Sequence, residues 1–177
     1  MKLASKILIL TGIALLIFGS YLIFQRYNPQ RLGFNNVPPV NFGTSAGIFP
    51  KEVTIKNLGI RLLVYPARIK DNKWEATTKG VSYLVTSPVP GDRGNSIIYG
   101  HNWSNLLGKL PKIKPGEKIE VLFDNNKKRT FIVEYTSVVG PDQTHILSQT
   151  TDARITLYTC TGFLDSKRFV ATATLTN

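Results

Sequence analysis

The chain has 177 residues, with 22 Lys and Arg against 11 Asp and Glu, a formal charge of +11, and one cysteine. A single thiol excludes an intramolecular disulfide framework. The basic residues are scattered along the chain, so nucleic-acid binding has no support beyond net charge. A solvated basic surface is the favoured reading, and attraction to anionic envelope polymers or lipid head groups is the alternative.

No charge falls between Lys6 and Arg26, and the run from Ile7 to Gln25 is dominated by Ile, Leu, Phe and Ala. At ~1.5 Å per residue such a helix covers on the order of 28 Å, about one hydrocarbon thickness. A cleaved signal peptide is the rival, but no clear small-x-small site follows before Arg26, which favours an uncleaved signal anchor. Lys2 and Lys6 fit a cytoplasmic N-terminus over residues 1–6, although Arg26 and Arg31 beyond the span leave the positive-inside rule undecided. From residue 26 to 50 the chain carries Asn-Pro-Gln, Asn-Asn-Val-Pro-Pro-Val and Gly-Thr-Ser-Ala-Gly without a sustained period, and reads as a linker, either a tether or a loosely packed arm.

Residues 51–177 suffice for one compact domain, show no internal repeat and read as all-β. Strands are predicted at Glu52–Ile55, Ile60–Tyr65, Val81–Val85, Ser96–Gly100, Lys118–Phe123, Thr130–Val139, Ile155–Cys160 and Arg168–Leu175. Asp124-Asn125-Asn126-Lys127 is a turn by residue chemistry and predicts a hairpin, while 103–110 and 143–148 are candidate short helical turns. Eight short strands separated by turn signals fit a closed or nearly closed barrel.

The lone Cys160 ends the β-branched run Ile155-Thr156-Leu157-Tyr158-Thr159-Cys160. An isolated free cysteine is most often a small core residue. Nucleophilic use needs a base or cation nearby, because an ordinary thiol is largely protonated at neutral pH. The chain offers His101 and His145. His101 follows the apolar strand closed by Gly100, where a rigid strand can hold an imidazole, whereas His145 lies in a polar turn. A hydrogen-bonded structural histidine is the plain alternative for His101. Arg168 opens the last strand, in which Phe169, Ala171, Ala173 and Leu175 share one face and Arg168, Val170, Thr172 and Thr174 the other. By the same period Cys160 shares a face with Thr156 and Tyr158, so neighbouring strands can carry Cys160 and Arg168 onto one outer surface. A guanidinium fixed beside a thiol can stabilise an oxyanion in acyl transfer. An exposed edge-strand cation is the alternative for Arg168.

These pieces resemble the sortases, membrane-anchored cysteine transpeptidases of bacterial surfaces. Thr156-Leu157-Tyr158-Thr159-Cys160 matches T-L-x-T-C, His101 closes a G-N-x-x-x-x-G-H segment, Pro90-Gly91-Asp92-Arg93-Gly94-Asn95 is similar to the P-G-x-x-G-N approach, and Arg168 starts the next strand. The similarity runs from about Pro50 to the C-terminus. It implies an eight-stranded sortase-like β-barrel outside the cytoplasm, preceded by one transmembrane helix. It implies that Cys160 attacks a carbonyl in an LPxTG-like sorting signal of a surface protein, leaving a thioester. His101 would then protonate the leaving amine and deprotonate the incoming one, with Arg168 and the main chain around Thr159 holding substrate and oxyanion. The acceptor would be an amine of a cell-wall precursor or a protein lysine, with water competing. The groove would be the outer face carrying Cys160, a solvent-reachable crevice walled on one side by the 140–152 connection.

No cofactor is expected. Some sortases use a calcium site of several acidic residues, but 82–95 holds only Asp92, so no metal is expected either. An L,D-transpeptidase would approach its cysteine through a serine-histidine-glycine motif that is absent, and papain-like peptidases place Cys before His. The alternative of a different class is a catalytically silent barrel kept as an envelope-binding or assembly module.

Overall fold

A computed structural model describes residues 2–35, 37, 48–71 and 73–176. Helix α1 spans Lys2–Tyr27, and its Leu3–Gln25 stretch has a mean hydropathy of 2.5 with none of it buried against the rest of the protein. A helix apolar on every side, with no protein face to cover it, is suited to lipid. In its last turns Gln25 Nε2 donates to Tyr21 Oη at 2.6 Å.

The remaining strands are β1 (Pro50–Ile55), β2 (Ile60–Ala67), β3 (Ile69–Lys70), β4 (Lys73–Trp74), β5 (Val81–Leu84), β6 (Gly94–Gly100), β7 (Lys118–Phe123), β8 (Lys128–Val139), β9 (Ala153–Thr161) and β10 (Lys167–Leu175). Eight of them close a barrel in the order β1-β2-β5-β6-β9-β10-β8-β7. The pairs β2/β5 and β6/β9 are parallel and the others antiparallel. The β7/β8 hairpin turns through Asn126, which takes a left-handed φ of 61°, as the Asn-rich turn sequence favours. The β3/β4 hairpin lies outside the barrel and is too short to leave an alternating pattern in the sequence.

Period-two alternation sorts the side chains as expected. Ile155, Leu157, Phe169, Ala171 and Ala173 point into the barrel core, while Tyr158, Cys160 and Val170 join a second apolar cluster on the outside of the wall. That outer cluster is closed by part of the segment expected to be a tether or a loosely packed arm. Asn28 caps a short 3-10 turn over Pro29–Leu32, its Oδ1 accepting from the Gln30 N–H at 3.0 Å. The side chains of Leu32 and Phe34 are then buried against the barrel. The expectation of a loose arm is thus corrected for 28–35. Two apolar side chains flank Gly33, and the missing side chain there lets the Trp74 indole lie flush on the backbone. The part of the arm between 38 and 47 lies outside the described residues.

The 140–152 connection is fastened to the wall at Asn95, whose main chain exchanges hydrogen bonds with the Gln149 side chain and whose own amide holds the connection's backbone. Asn95 Nδ2 donates to the carbonyls of Ile146 (2.9 Å) and Ser148 (3.1 Å), and its Oδ1 accepts from Thr156 Oγ1 at 2.8 Å.

Candidate active site

Strand β9 is the spine of the site. On one side it runs parallel to β6 with Gly100 beside Thr159, so His101 leaves its strand next to Cys160. On the other side β10 runs antiparallel with Arg168 directly opposite Cys160. Directly paired residues stand about 5 Å apart at Cα. The register therefore brings Cys160, His101 and Arg168 to one place on the outer wall.

Each group is held by its surroundings. The His101 ring stacks on Trp103, with centroids 4.5 Å apart and planes 14° from parallel. Burial holds its pKa below the ordinary value, opposed by the nearby Asp165 carboxylate. Arg168 Nη1 donates to the carbonyls of Asp165 (2.9 Å) and Lys167 (3.0 Å), and Nη2 to the carbonyl of Gly33 (2.8 Å). Its buried Nε has no partner, and the guanidinium carbon lies 5.9 Å from the Phe34 ring centre. A polar atom left unpaired in a buried position is costly and marks a donor available to another acceptor.

The thiol is covered. Cys160 is 3 % exposed, and its Sγ donates to the Arg31 carbonyl at 3.0 Å. Burial pushes its pKa up to about 12 despite the attraction of the Arg168 guanidinium. The expected solvent-reachable crevice is therefore corrected: residues 31–34 lie across it as a strap, and their carbonyls engage both the sulfur and the arginine. With the strap in place, burial favours the protonated thiol and the neutral imidazole. With the strap displaced, water reaches the sulfur while the guanidinium stays beside it, the condition that favours thiolate.

Thr159 turns its hydroxyl into the wall and donates to the Gly100 carbonyl at 2.7 Å. Its side chain binds the His101 strand to the Cys160 strand and does not face the groove. His145 sits exposed in the 144–147 turn of the 140–152 connection, away from the thiol.

Two further residues belong to the cluster and were not singled out from sequence. Trp103 supports the imidazole. Asp165 accepts from Asn102 Nδ2 at 2.8 Å, pairs with Arg31 at 3.4 Å, and acts electrostatically on both His101 and Cys160. The aromatic two positions after His101 was the available signal for the first. Asp165 carried none, because its role depends on the strap. Among the described residues no three His, Cys, Asp or Glu side chains gather as a metal site.

Comparison with known proteins identifies relatives of this barrel. Residues 53–176 match the family model described as a sortase domain. Sortase A of Listeria monocytogenes serovar 1/2a (strain ATCC BAA-679 / EGD-e) is 30 % identical over 128 residues, covering 70 % of this chain and 55 % of that protein. The chain thus spans about half the length of that curated relative. The structure of Listeria monocytogenes sortase A superimposes with a TM-score of 0.60 at 27 % identity, covering 73 % of this chain and 88 % of that one. Sortase C1 of Streptococcus agalactiae gives a TM-score of 0.63 at 25 % identity over 72 % and 67 % of the two chains.

Proposed function

The chain belongs to the sortase family, and from that premise we propose that it is a membrane-anchored cysteine transpeptidase acting on an LPxTG-like sorting signal. The observation that carries the reading is the register of β9, which sets Cys160 opposite Arg168 and one step from His101. The Cys160 proton passes to His101 and the sulfur attacks the carbonyl carbon at the Thr–Gly bond of the signal. Arg168 donates to the oxygen as it gains charge, an interaction worth on the order of 3 kcal/mol of transition-state stabilisation. Collapse breaks the C–N bond, and His101 protonates the departing amine to leave a thioester on Cys160. An amine of a cell-wall precursor or a protein lysine attacks that thioester, gives its proton to His101 and restores the thiol. Water in the same place gives slow hydrolysis.

The reaction requires the strap to leave. Its Arg31 and Gly33 carbonyls engage the sulfur and the guanidinium, the two groups assigned here to the substrate carbonyl. Residues 1–6 are proposed as cytoplasmic, 7–25 as the transmembrane anchor, 26–50 as a linker whose first part is the strap, and 51–177 as an extracytoplasmic catalytic domain.

The burial of the thiol favours a second reading, a silent barrel that binds but does not react. A sorting peptide and an amine acceptor incubated with the full chain separate the two. Mass spectrometry should show a ligated product, and a trapped thioester should map to Cys160 and vanish in Cys160→Ala. No product from wild type and an unreactive thiol in a variant with the strap displaced would establish the silent barrel.

A further inference from the structure

The loop joining β9 to β10 turns its apolar side chains to the outside. Phe163 is 85 % exposed and Leu164 56 %. This exposure is not slackness. Leu164 and Asp165 hold left-handed backbone, with φ of 50° and 59°, a conformation that aspartate adopts more readily than most and that is uncommon for leucine. The Asp165 carbonyl accepts from Arg168, and its carboxylate engages Arg31 and Asn102. The loop is built to present Phe163 and Leu164 outward.

Where they point is set by α1. Gly162, Leu164 and Asp165 form one side of a cavity of about 730 Å³ whose other side is Tyr21, Leu22 and Gln25 of the helix. Tyr27 meets Trp103 edge to face at 5.0 Å. A bilayer core of about 30 Å takes about twenty helical residues, so the proposed span 7–25 is just long enough to cross, and Tyr21, Leu22 and Gln25 lie in its last turns. The loop tip is therefore level with the outer end of the span. Tyr21, Tyr27 and Trp103, gathered at the same level, are the residue types that collect where hydrocarbon gives way to head groups.

We propose that Phe163 and Leu164 seat in the outer-leaflet interface of the bilayer that α1 crosses, so that the Cys160 end of the barrel faces the membrane surface. The occupant of this apolar patch is phospholipid, because the patch is continuous with the helix that enters the lipid. The inference rests on the anchoring of α1 proposed above. It follows that donor or acceptor molecules still held in the membrane reach the groove by lateral diffusion along the surface.

The test uses the full chain in phosphatidylcholine–phosphatidylglycerol nanodiscs, in a Cys160→Ala background, with one nitroxide at Leu16→Cys, Leu164→Cys or Asn125→Cys. Asn125 lies in the β7/β8 turn, at the opposite end of β8 from Val139, which pairs with Arg168. Collisions with oxygen relative to a water-soluble nickel chelate should be several-fold higher at Leu16 and Leu164 than at Asn125. In a chain with Cys160 intact, brominated lipid should quench the added emission of Phe163→Trp. Leu164 matching Asn125 while Leu16 is lipid-shielded would overturn the interfacial footing alone. A water-exposed Leu16 would overturn the anchor and the footing together.

Discussion

The Gly33 carbonyl accepts from Arg168 Nη2 at 2.8 Å, two residues along from the Arg31 carbonyl that accepts from Cys160. One short peptide thus satisfies both the arginine and the thiol, and a substrate must compete with it. Arg168→Ala should therefore move two measurements in opposite directions. Turnover should fall by on the order of 10²-fold or more, the usual loss of an oxyanion donor. Labelling of Cys160 by a small alkylating reagent should rise, because the strap has lost an anchor.

Gly33→Ala should displace the strap without touching the barrel. A methyl there would run into the Trp74 indole, whose Nε1 would lie 2.8 Å away. Leu32→Ala should act the same way through lost packing, about 2–5 kcal/mol for a fully buried leucine. Both variants should label at Cys160 at least tenfold faster than wild type, followed by intact-mass spectrometry. Unchanged labelling would show that the strap does not govern access.

The pH dependence follows from the burial of the two titrating groups. The covered thiol holds its proton well past its ordinary value of 9.0, so the strap's grip on it is complete below pH 9 and weakens as pH climbs towards 12. Alkylation of wild type should stay slow through pH 9, and the Gly33→Ala profile should rise at lower pH. His101 has the opposite sign. Its lowered pKa makes folded stability complete above the ordinary 6.5 and less as pH falls through the folded value, visible as a falling Tm in acid.

Asp165→Asn removes the carboxylate that props up the His101 pKa. The imidazole should titrate lower than in wild type, read from its ring-proton chemical shifts. An unmoved titration would mean that the carboxylate is screened from the ring.

Asn95→Ala should loosen the 140–152 connection. It removes the bonds that the Ile146 and Ser148 carbonyls and the Thr156 hydroxyl make to Asn95, leaving the 3.4 Å contact of Thr156 Oγ1 with the Ile146 carbonyl, and a part-buried group that loses its partner costs about 1–3 kcal/mol. A lowered Tm with faster hydrogen exchange at Ile146 and Ser148 checks it.

The barrel was legible because alternation along strands such as Arg168–Leu175 and Lys118–Phe123 records which side chains meet the core, whereas β5 and β6 are buried on both faces and show only as apolar runs bounded by turn residues. The outward placement of Cys160 and Arg168 followed from the same parity, and the glycine before His101 marked where β6 stops. The strap left no comparable trace. Leu32 and Phe34 are two apolar residues among Asn, Gln, Arg and Gly, too few to show a period, and their burial depends on a groove assembled from β6, β9 and β10. The β3/β4 hairpin leaves no period for the same reason, having two residues per strand. Asp165 could not be ranked above other acidic residues, since its partners Arg31 and Asn102 lie far from it in sequence.

The parallel pairing of β6 with β9 also dictates when the chain can acquire reactivity. A whole hairpin, β7 and β8, intervenes between Gly100 and its neighbour Thr159, so the histidine strand waits for a distant partner, a slow event in which loop-closure entropy precedes any reward. Arg168 comes later still, on the final strand. A chain folded only as far as β9 would hold Cys160 and His101 without the guanidinium, and the three groups proposed to act together meet only once β10 has paired with β9.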